Sequence, residues 1–372
     1  MCKQLLFFIP NFNGGGAERA LITLLSRWVP ERHGDWSPSI VVRQNVGNLR
    51  DQVPNWVKVT SLELPRSGFY SSIATTIKLT FLFRRLHPSV VISFLSLPSV
   101  VLAKQVARST CRLVASIQTP LLASGVSPNR FMNWVIRQTD YVWAISPGIA
   151  NEILTVFHVN KTRIQVLPNP VDLDLVNKKK NSAVDHAVFS ESSIPVVITA
   201  CRLTREKRID VLLDAVSFLK STTSINLVIL GEGELRTELE DRAKTLGIHQ
   251  QVFFLGFQSN PWKYISKSAV FALASDYEGF GNVLVEAMAC GVPVIATRAP
   301  FGPEYIITDN VSGLLVRRQD PDAMANGILR LLSDNALRQR CITNGLQRAK
   351  DFHVETIVQS FERLLQSVEL QG

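Results

Sequence analysis

Long apolar runs are missing from this sequence. The 372 residues contain no stretch of eighteen apolar residues, and serines and a proline interrupt the most apolar segment, residues 90–103. Because a membrane-spanning helix needs about 20 such residues, we interpret this segment as a strand followed by a helix. The start of the chain also lacks a signal-peptide pattern, and residues 1–10 are predicted to form a strand that runs into a glycine-rich turn.

Cysteines are few and follow no pattern. The five of them lie at positions 2, 111, 201, 290 and 341, without the spacing of a metal site or a redox motif. We therefore expect reduced thiols in a cytoplasmic protein. The composition, 46% hydrophobic and 19% charged, excludes disordered and fibrous proteins and is typical of a globular α/β protein long enough for two domains.

Positive charge is distributed unevenly along the chain. Residues 1–175 hold 18 Lys and Arg against 9 Asp and Glu, whereas residues 176–372 hold 22 of each. The basic half could face nucleic acid, anionic lipid or a phosphorylated acceptor, or it could be an ordinary basic surface that maintains solubility. No nucleic-acid motif accompanies it, so we favour a membrane surface or a lipid diphosphate.

The predicted helix at residues 71–86 belongs to this basic half. It is apolar at Ile73, Ile77, Phe81 and Leu82 and carries basic residues near its end. A helix that lies on a membrane has this pattern. A crossover helix of an α/β fold has it too, and we prefer this second interpretation.

A glycine-containing loop in residues 269–291 joins a predicted buried strand, 270–275, to a predicted helix, 282–289. Gly279, Phe280 and Gly281 in this loop allow a backbone path that brings the unpaired amides of the helix start toward a ligand. Such a helix end attracts an anion, most often a phosphate. The alternative is a simple strand-to-helix corner with Asn282 as a cap.

Two glutamates frame this loop. Glu278 precedes the turn, and Glu286 lies a little over one helical turn into the helix. A carboxylate repels a phosphate, so we expect Glu286 to accept hydrogen bonds from sugar hydroxyls instead. The alternative for Glu286 is a charged surface residue.

Two cations lie five positions apart in a second strand-to-helix junction. Arg202 and Lys207 follow the predicted strand 196–200 and precede the predicted helix 209–219. Both can reach one diphosphate, Arg202 as a planar fork and Lys207 as a point charge. The alternative is a solvated basic turn.

The segment 276–296, DYEGFGNVLVEAMACGVPVIA, resembles the nucleotide-sugar site of the retaining glycosyltransferases of family 4. The resemblance implies that Glu286 holds the nucleotide ribose, that Glu278 contacts the transferred sugar, and that Arg202 and Lys207 hold the diphosphate. Catalytic roles are thus expected for Arg202, Lys207 and Glu278. The donor contacts that it implies are those of Gly15, Gly16, Gly279, Phe280, Gly281, Asn282, Val283 and Glu286.

The loop before the first helix also resembles this family. Gly15, Gly16, Glu18 and Arg19 match its Gly-Gly-x-Glu-Arg loop, which implies a place near the donor phosphate and the acceptor. Many family members have a histidine facing the sugar ring where this chain has Gln118. Glutamine donates and accepts hydrogen bonds but does not titrate, so a general base at this position is not expected. Arg19 and Gln118 are the predicted acceptor or sugar contacts.

The resemblance further implies the fold, an α/β protein with two Rossmann-like domains facing each other across a cleft. We expect an acceptor-binding domain at 1–175, a linker at 176–193, a nucleotide-sugar-binding domain at 194–352, and a last helix at 353–372 that crosses back to the first domain. Asp172 and Asp174 form an Asp-x-Asp, but they lie in the interdomain passage. We interpret this pair as coincidence and expect neither a metal nor a cofactor.

The sequence thus predicts a hexosyltransferase that moves a hexose or N-acetylhexosamine from a nucleotide diphosphate sugar, preferably a UDP-sugar, to a lipid-linked or cell-surface saccharide. We expect a cytoplasmic protein at the inner face of the membrane, acting in polysaccharide biosynthesis of the cell envelope and binding no nucleic acid. Two alternatives stay open, namely a nucleotide-sugar epimerase or hydrolase on the same scaffold and a catalytically silent binding protein.

Overall fold

Two compact units make up the chain. The computed structural model describes residues 3–13, 15–29, 31–32, 34–64, 69–189 and 194–370. Unit 1 comprises Met1–Pro170 and Val354–Gly372, and unit 2 comprises Val171–His353. Three features of the sequence predictions, namely Cys2, Gly14 of the first glycine turn and residues 190–193 of the linker, lie outside the described residues. The four cysteines within them are free thiols.

Unit 1 contains a seven-stranded parallel sheet with the strand order β3-β2-β1-β4-β5-β6-β7. Its strands are β1 (Lys3–Ile9), β2 (Trp36–Val42), β3 (Lys58–Ser61), β4 (Val90–Phe94), β5 (Arg112–Ile117), β6 (Tyr141–Ala144) and β7 (Ile164–Val166). Its helices are α1 (Gly16–Arg27), α2 (Phe69–Leu86), α3 (Leu97–Ala107), α4 (Arg130–Arg137), α5 (Pro147–Val156) and the C-terminal α14 (Val354–Leu370).

Unit 2 contains a six-stranded parallel sheet with the order β10-β9-β8-β11-β12-β13. Its strands are β8 (Val196–Ala200), β9 (Asn226–Leu230), β10 (Val252–Gly256), β11 (Val270–Leu273), β12 (Val294–Thr297) and β13 (Leu314–Val316). Its helices are α6 (Leu173–Lys179), α7 (Ile209–Leu219), α8 (Arg236–Thr245), α9 (Trp262–Ile265), α10 (Asn282–Ala289), α11 (Pro303–Ile306), α12 (Pro321–Ser333) and α13 (Asn335–Lys350).

The central strands of both sheets are buried along their length. In β4 and β9 every residue is buried, which is why these segments are mainly apolar and show no alternation of apolar and polar residues. In each sheet the first three strands are added one after another toward one edge. The chain then returns to the middle, and the later strands are added toward the other edge. The reversal falls between β1 and β4 in unit 1 and between β8 and β11 in unit 2, which is the Rossmann order. The predicted α/β fold class is confirmed.

Helix α14 completes the core of unit 1. The Phe361 ring lies 6.1 Å from Phe7, 5.2 Å from Trp28 and 5.7 Å from Trp143, measured between ring centroids. At the ends of the helix, Glu355 and Glu369 form ion pairs with Arg32 and Lys3. The prediction that the last helix returns to the first domain is confirmed.

The segment 176–193, for which the sequence predicts a linker, is grouped with unit 2 and begins within α6. Asp172 is the N-cap of this helix, and its Oδ1 accepts a 3.0 Å hydrogen bond from the Leu175 amide. This aspartate of the Asp-x-Asp pair therefore has a structural role. None of the helices in the described residues is both long and apolar enough to span a bilayer.

Candidate active site

The sequence-predicted residues of unit 2 lie where its strand order reverses. The loop after β8 carries Arg202 and Lys207, and the loop after β11 carries Glu278. Because neighbouring parallel strands at such a reversal send their loops in opposite directions, a crevice opens at the carboxyl ends of the strands. Ligands of open α/β sheets bind in that crevice, so the topology and the side chains indicate the same place.

Lys207 and Glu278 form a partly buried ion pair across the two loops. The Lys207 Nζ lies 2.7 Å from the Glu278 Oε1, and the side chains are only 15% and 13% exposed. The Ser275 hydroxyl donates a 2.8 Å hydrogen bond to the same carboxylate oxygen. Burial lowers the pKa of Lys207, but the charge and hydrogen bond of Glu278 outweigh it and raise the pKa above its ordinary value. Lys207 therefore keeps its positive charge throughout the neutral range.

Arg202 differs from Lys207 in being open to solvent. Its side chain is 72% exposed and forms a long ion pair, 3.4 Å, with the Glu206 Oε1. The Thr204 hydroxyl holds that oxygen at 2.7 Å. The guanidinium thus lies at the surface of the crevice, where an exposed and weakly held fork can turn toward an anionic ligand.

Two further contacts fix the loop after β8 to its surroundings. The Glu206 carbonyl accepts a 2.8 Å hydrogen bond from the Asp276 amide, which joins it to the loop after β11. The Arg208 guanidinium forms ion pairs with Asp210 and Asp276, so it stabilises the loop structure rather than being available to bind a ligand. The basic turn is therefore an ordered part of the crevice wall.

Glycines after β9 allow this wall to pack closely. A Cβ atom on Gly231 would lie 1.8 Å from the Cys201 carbonyl oxygen, and one on Gly233 would lie 2.3 Å from that of Leu203. Only glycine fits at either position, because backbone atoms cannot move aside as a flexible side chain would. The Gly-x-Gly turn thus supports the residues on both sides of Arg202.

Helix α10 begins at the glycine bend that the sequence predicts. Gly281 is its N-cap with φ +97°, a left-handed conformation that favours glycine, and Asn282 and Val283 open the helix half-buried. The Phe280 side chain is buried against Phe352, with the ring centroids 5.1 Å apart, and Gly279 is buried as well. Any ligand contact of Phe280 would therefore come from its backbone.

Glu286 lies on α10 and is 7% exposed. Its Oε2 accepts a 2.9 Å hydrogen bond from the Trp262 indole N–H on α9. The indole fixes the carboxylate and engages one of its oxygens. A buried carboxylate held in this way is suited to accept hydrogen bonds from hydroxyl groups, as the sequence predicts.

In unit 1 the predicted residues Gly15, Gly16 and Arg19 lie at the start of α1, after β1. Gly15 is the N-cap, and a Cβ there would lie 2.3 Å from the Glu18 Oε2, so the glutamate folds back over the helix start. Gly16 is exposed and Arg19 is half-buried. The Glu18 side chain therefore has a local structural role at the start of α1, which the sequence pattern did not predict.

Gln118 follows β5 and is 7% exposed. Its Nε2 donates a 2.7 Å hydrogen bond to the Ser116 hydroxyl, while its buried Oε1 has no hydrogen-bond partner within the described part of the chain. The loop beyond it is fixed by Glu152 of α5, whose carboxylate accepts from the amides of Leu121 and Leu122 at 2.8 and 3.0 Å.

Sequence reasoning did not identify Ser275, Trp262 or Glu152. Trp262 contacts Glu286, 24 residues away, and Glu152 contacts backbone amides 31 and 30 residues away. Ser275 contacts Glu278, three residues further along the chain. No local sequence pattern indicated these contacts. The described residues contain no group of three or more His, Cys, Asp and Glu side chains arranged to hold a metal ion.

Comparisons with known proteins indicate the family to which the chain belongs. The family model described as "Glycosyltransferase Family 4" matches residues 14–175, and the model "Glycosyl transferases group 1" matches residues 185–348. Two curated relatives come from Campylobacter jejuni. One is an N-acetylgalactosamine-N,N'-diacetylbacillosaminyl-diphospho-undecaprenol 4-alpha-N-acetylgalactosaminyltransferase, 28% identical over 94% of this chain and 96% of its own.

The other is a GalNAc-alpha-(1->4)-GalNAc-alpha-(1->3)-diNAcBac-PP-undecaprenol alpha-1,4-N-acetyl-D-galactosaminyltransferase, 29% identical over 98% of this chain and 99% of its own. Among solved structures, Anabaena HepE in complex with UDP and glucose superposes with a TM-score of 0.82 at 22% identity, covering 98% of this chain and 100% of its own. On these matches and on its two Rossmann-like sheets, the chain is a glycosyltransferase of the family 4 type with the GT-B fold.

Proposed function

We propose that the protein transfers a hexose or N-acetylhexosamine from a nucleotide diphosphate sugar, preferably a UDP-sugar, to a lipid-linked or cell-surface saccharide. The observation that carries the proposal is the crevice of unit 2, where Lys207 and Glu278 meet beside the glycine-bent start of α10. A cation, a carboxylate and a helix N-terminus are the groups that a sugar diphosphate requires.

Each side chain has a distinct proposed role. Lys207, Arg202 and the amides at Gly281 and Asn282 hold the diphosphate, Glu286 holds the nucleotide ribose, and Glu278 contacts the transferred sugar. Negative charge grows on the departing diphosphate in the transition state, so a preformed cation there lowers the barrier. The raised pKa of Lys207 keeps that charge in place. In this proposal the two cations supply the positive charge, and no metal or cofactor is required.

We propose further that the reaction retains the anomeric configuration. The bond from the sugar C1 to the diphosphate oxygen breaks, a bond from C1 to the acceptor oxygen forms on the same face, and the acceptor proton passes to the departing diphosphate. In this route Glu278, whose Oε1 contacts Lys207 and Ser275, binds the sugar and forms no covalent bond to it. Gln118 cannot serve as the base.

The acceptor proposal rests on the two Campylobacter relatives, whose names specify undecaprenol diphosphate saccharides. A substrate of that kind lies in a membrane, so we propose that this protein works at the inner membrane face in polysaccharide biosynthesis. The basic charge of the N-terminal half supports the same location, since it favours anionic lipid and lipid diphosphates.

A screen of nucleotide diphosphate sugars by thermal shift, followed by turnover assays with and without a saccharide acceptor, tests the function. We expect one donor to raise the unfolding temperature and to be consumed only when acceptor is present. Consumption without acceptor would indicate the epimerase or hydrolase, and binding without turnover would indicate a silent protein. The anomeric configuration of the product, read by NMR, tests retention separately.

A further inference from the structure

The net positive charge of the protein can be traced to one segment. Residues 64–139 contain nine Lys and Arg and no Asp or Glu, and the formal net charge of the whole chain is +9. The rest of the chain is therefore neutral overall. This acid-free segment includes the three helices α2, α3 and α4. In the fold, α3 packs against both of the others.

The same segment exposes an unusual share of large apolar side chains. It contains 76 of the 372 residues, about a fifth, yet it holds nine of the 17 large hydrophobic residues that are exposed in the described part of the chain. Single exposed apolar residues are normal on a protein surface, but a concentration of them marks an interaction site.

Helix α2 arranges four of these side chains in a row. Tyr70, Ile73, Ile77 and Phe81 are 86%, 44%, 51% and 65% exposed. Residues spaced by three or four share one side of a helix, so the four form a stripe that faces away from the buried Leu79 and Phe83. Stable packing of the helix does not explain this stripe, because the opposite side already supplies the core contacts.

Helix α4 repeats this combination over a shorter length. Phe131 and Trp134 are 48% and 38% exposed, and their rings stack with centroids 6.1 Å apart. Arg130 and Arg137 at the two ends of the helix are exposed. Val106 on the intervening α3 is 56% exposed. Apolar and basic groups are thus combined on all three helices.

We propose that this surface is where the protein lies on an anionic lipid bilayer. We call it the interfacial face and define it by the apolar residues Tyr70, Ile73, Ile77, Phe81, Val106, Phe131 and Trp134 and the cations Arg85, Arg130 and Arg137. Helices of this kind bury their apolar side chains at the boundary of headgroups and acyl chains, while their cations pair with lipid phosphates. Tyrosine and tryptophan are well suited to that depth.

Charge distinguishes a bilayer from a second copy of the chain and from nucleic acid as the binding partner of the interfacial face. A second copy of the chain would bring together two sets of basic helices that contain no acidic residue, and this repulsion opposes a symmetric dimer through the interfacial face. Nucleic acid would satisfy the cations but would leave the apolar stripe on α2 without an apolar environment. An anionic bilayer satisfies both.

The interfacial face is the surface through which an enzyme with the proposed function would contact a membrane. The proposal rests on that function only in one respect, namely that a lipid-linked substrate gives the protein a reason to bind a membrane. The vesicle experiment below measures binding without turnover. Donor binding and transfer to a water-soluble acceptor are measured without vesicles. Failure of one proposal is therefore distinguishable from failure of the other.

The charge contribution is tested with a triple variant, Arg85→Gln, Arg130→Gln and Arg137→Gln. Its matched control, Lys178→Gln, Lys179→Gln and Lys267→Gln, removes three exposed cations from unit 2. Flotation with phosphatidylcholine vesicles that contain about one third phosphatidylglycerol is measured at low salt. Each cation near an anionic surface contributes about 1 kcal/mol, so we expect roughly 100-fold weaker partitioning for the test variant and little change for the control.

The apolar contribution is tested with Ile73→Gln, Ile77→Gln and Phe81→Gln, which keep a good helix former at exposed positions. The matched control is Phe218→Gln, Phe257→Gln and Leu346→Gln, three exposed apolar residues of unit 2. We expect the α2 variant to lose at least about tenfold in vesicle partitioning, including the part that survives high salt. The control should partition like the parent protein.

Four results would overturn the proposal. The first is equal binding of the parent protein to neutral and anionic vesicles. The second is a loss of vesicle binding in both control variants that is as large as the loss in both test variants. The third is a change from dimer to monomer in the α2 variant at unchanged vesicle binding. The fourth is DNA binding that the charge variant loses while it retains vesicle binding. Unchanged donor binding in every variant would show that the fold is intact.

Discussion

Units 1 and 2 share one sheet topology and differ in how they use charge. Both sheets reverse their strand order in the middle, and both place predicted site residues in the loops at that reversal. In unit 2 these loops carry oppositely charged partners such as Lys207 and Glu278. In unit 1 they carry glycines at the start of α1, and the positive excess lies instead on α2 to α4.

The difference shows that topology decides where a site forms and that the loop side chains decide what it binds. In unit 2 the ion pair of Lys207 and Glu278 is mostly buried, and we propose that its fixed cation holds a phosphate. In unit 1 the buried Gln118, whose Oε1 has no hydrogen-bond partner among the described residues, provides a neutral hydrogen-bonding group instead. The two units are thus expected to respond differently to substitution, and four experiments measure that difference.

The largest effect is expected for Lys207→Ala in unit 2. In the proposed mechanism Lys207 stabilises the departing diphosphate, so removal of this preformed cation should lower kcat/KM by about 100- to 1000-fold. Lys207→Arg, which keeps the charge, should recover part of the loss, and Lys267→Ala, at an exposed site, should have no effect. Steady-state kinetics and a thermal unfolding control check this. A loss below threefold would remove Lys207 from the site.

In unit 1 the charged cluster to compare with the Lys207 and Glu278 pair surrounds Asp140 and has a structural role. The Asp140 carboxylate accepts from Lys104 at 2.9 Å, from Arg112 at 3.1 Å and from the Leu113 amide at 2.8 Å. Burial raises the pKa of Asp140, but these hydrogen bonds and cations outweigh it and lower the pKa below its ordinary value. The resulting stabilisation is present at neutral pH and is lost as the pH falls through the lowered pKa.

We therefore expect Asp140→Asn to lower the free energy of unfolding by about 2 kcal/mol at pH 7, and by progressively less below about pH 4. Urea unfolding followed by tryptophan fluorescence reports mainly on unit 1, which contains every tryptophan except Trp262. Asp51→Asn, at an exposed position in the same unit, is the control. A pH-independent difference between Asp140→Asn and the parent would contradict the assigned cause.

Trp262→Phe removes the N–H that fixes Glu286 while it keeps an aromatic ring at the position. A hydrogen bond to a charged group contributes about 1.5 to 3 kcal/mol, so we expect roughly a tenfold rise in the KM for the donor. The kcat should change little, because Trp262 contacts Glu286, the proposed ribose-binding group, and not the groups proposed to hold the departing diphosphate. Tyr264→Phe on the same helix is the control. A fall in kcat at constant KM would mean that Trp262 acts elsewhere.

The smallest effect is expected in unit 1, for Gln118→His. The parent should show a flat kcat/KM between about pH 6 and 8, because Gln118 does not titrate and the raised pKa of Lys207 lies above that range. The variant should acquire a dependence of a few fold with an apparent pKa near 6.5. If the parent already shows this step, another group serves as the base and Gln118 is not the reason for a flat profile.

The sequence predicted the central strands and most of the helices that pack on them, because continuous apolar runs bounded by glycine or proline are recognisable locally. It did not predict α4, α6, α8, α11 or α13, and it assigned part of α6 to the linker. In α8 only Leu239 and Ala243 are buried, and in α13 small or polar residues such as Cys341 and Gly345 face the core. Helices of this kind lack the apolar period from which a helix is recognised.

The residues of the candidate site were predicted mainly from the resemblance, whereas their contacts were not. The 2.7 Å pair of Lys207 and Glu278 joins residues 71 positions apart, and the contact of Trp262 with Glu286 spans 24. Such contacts depend on which strands become neighbours, and no local sequence pattern reveals that pairing. The packing of Gly231 against Cys201 is another long-range consequence of the sheet order.

Helix α14 also determines when unit 1 can fold. Its Phe361 fills the space among Phe7, Trp28 and Trp143, yet it is separated from them in sequence by the whole of unit 2. During synthesis the first sheet therefore leaves the ribosome with an open apolar face that stays uncovered until α14 emerges. The sheet of unit 1 is made before unit 2 but is completed only after it, and loss of α14 would leave that face exposed to chaperones and proteases.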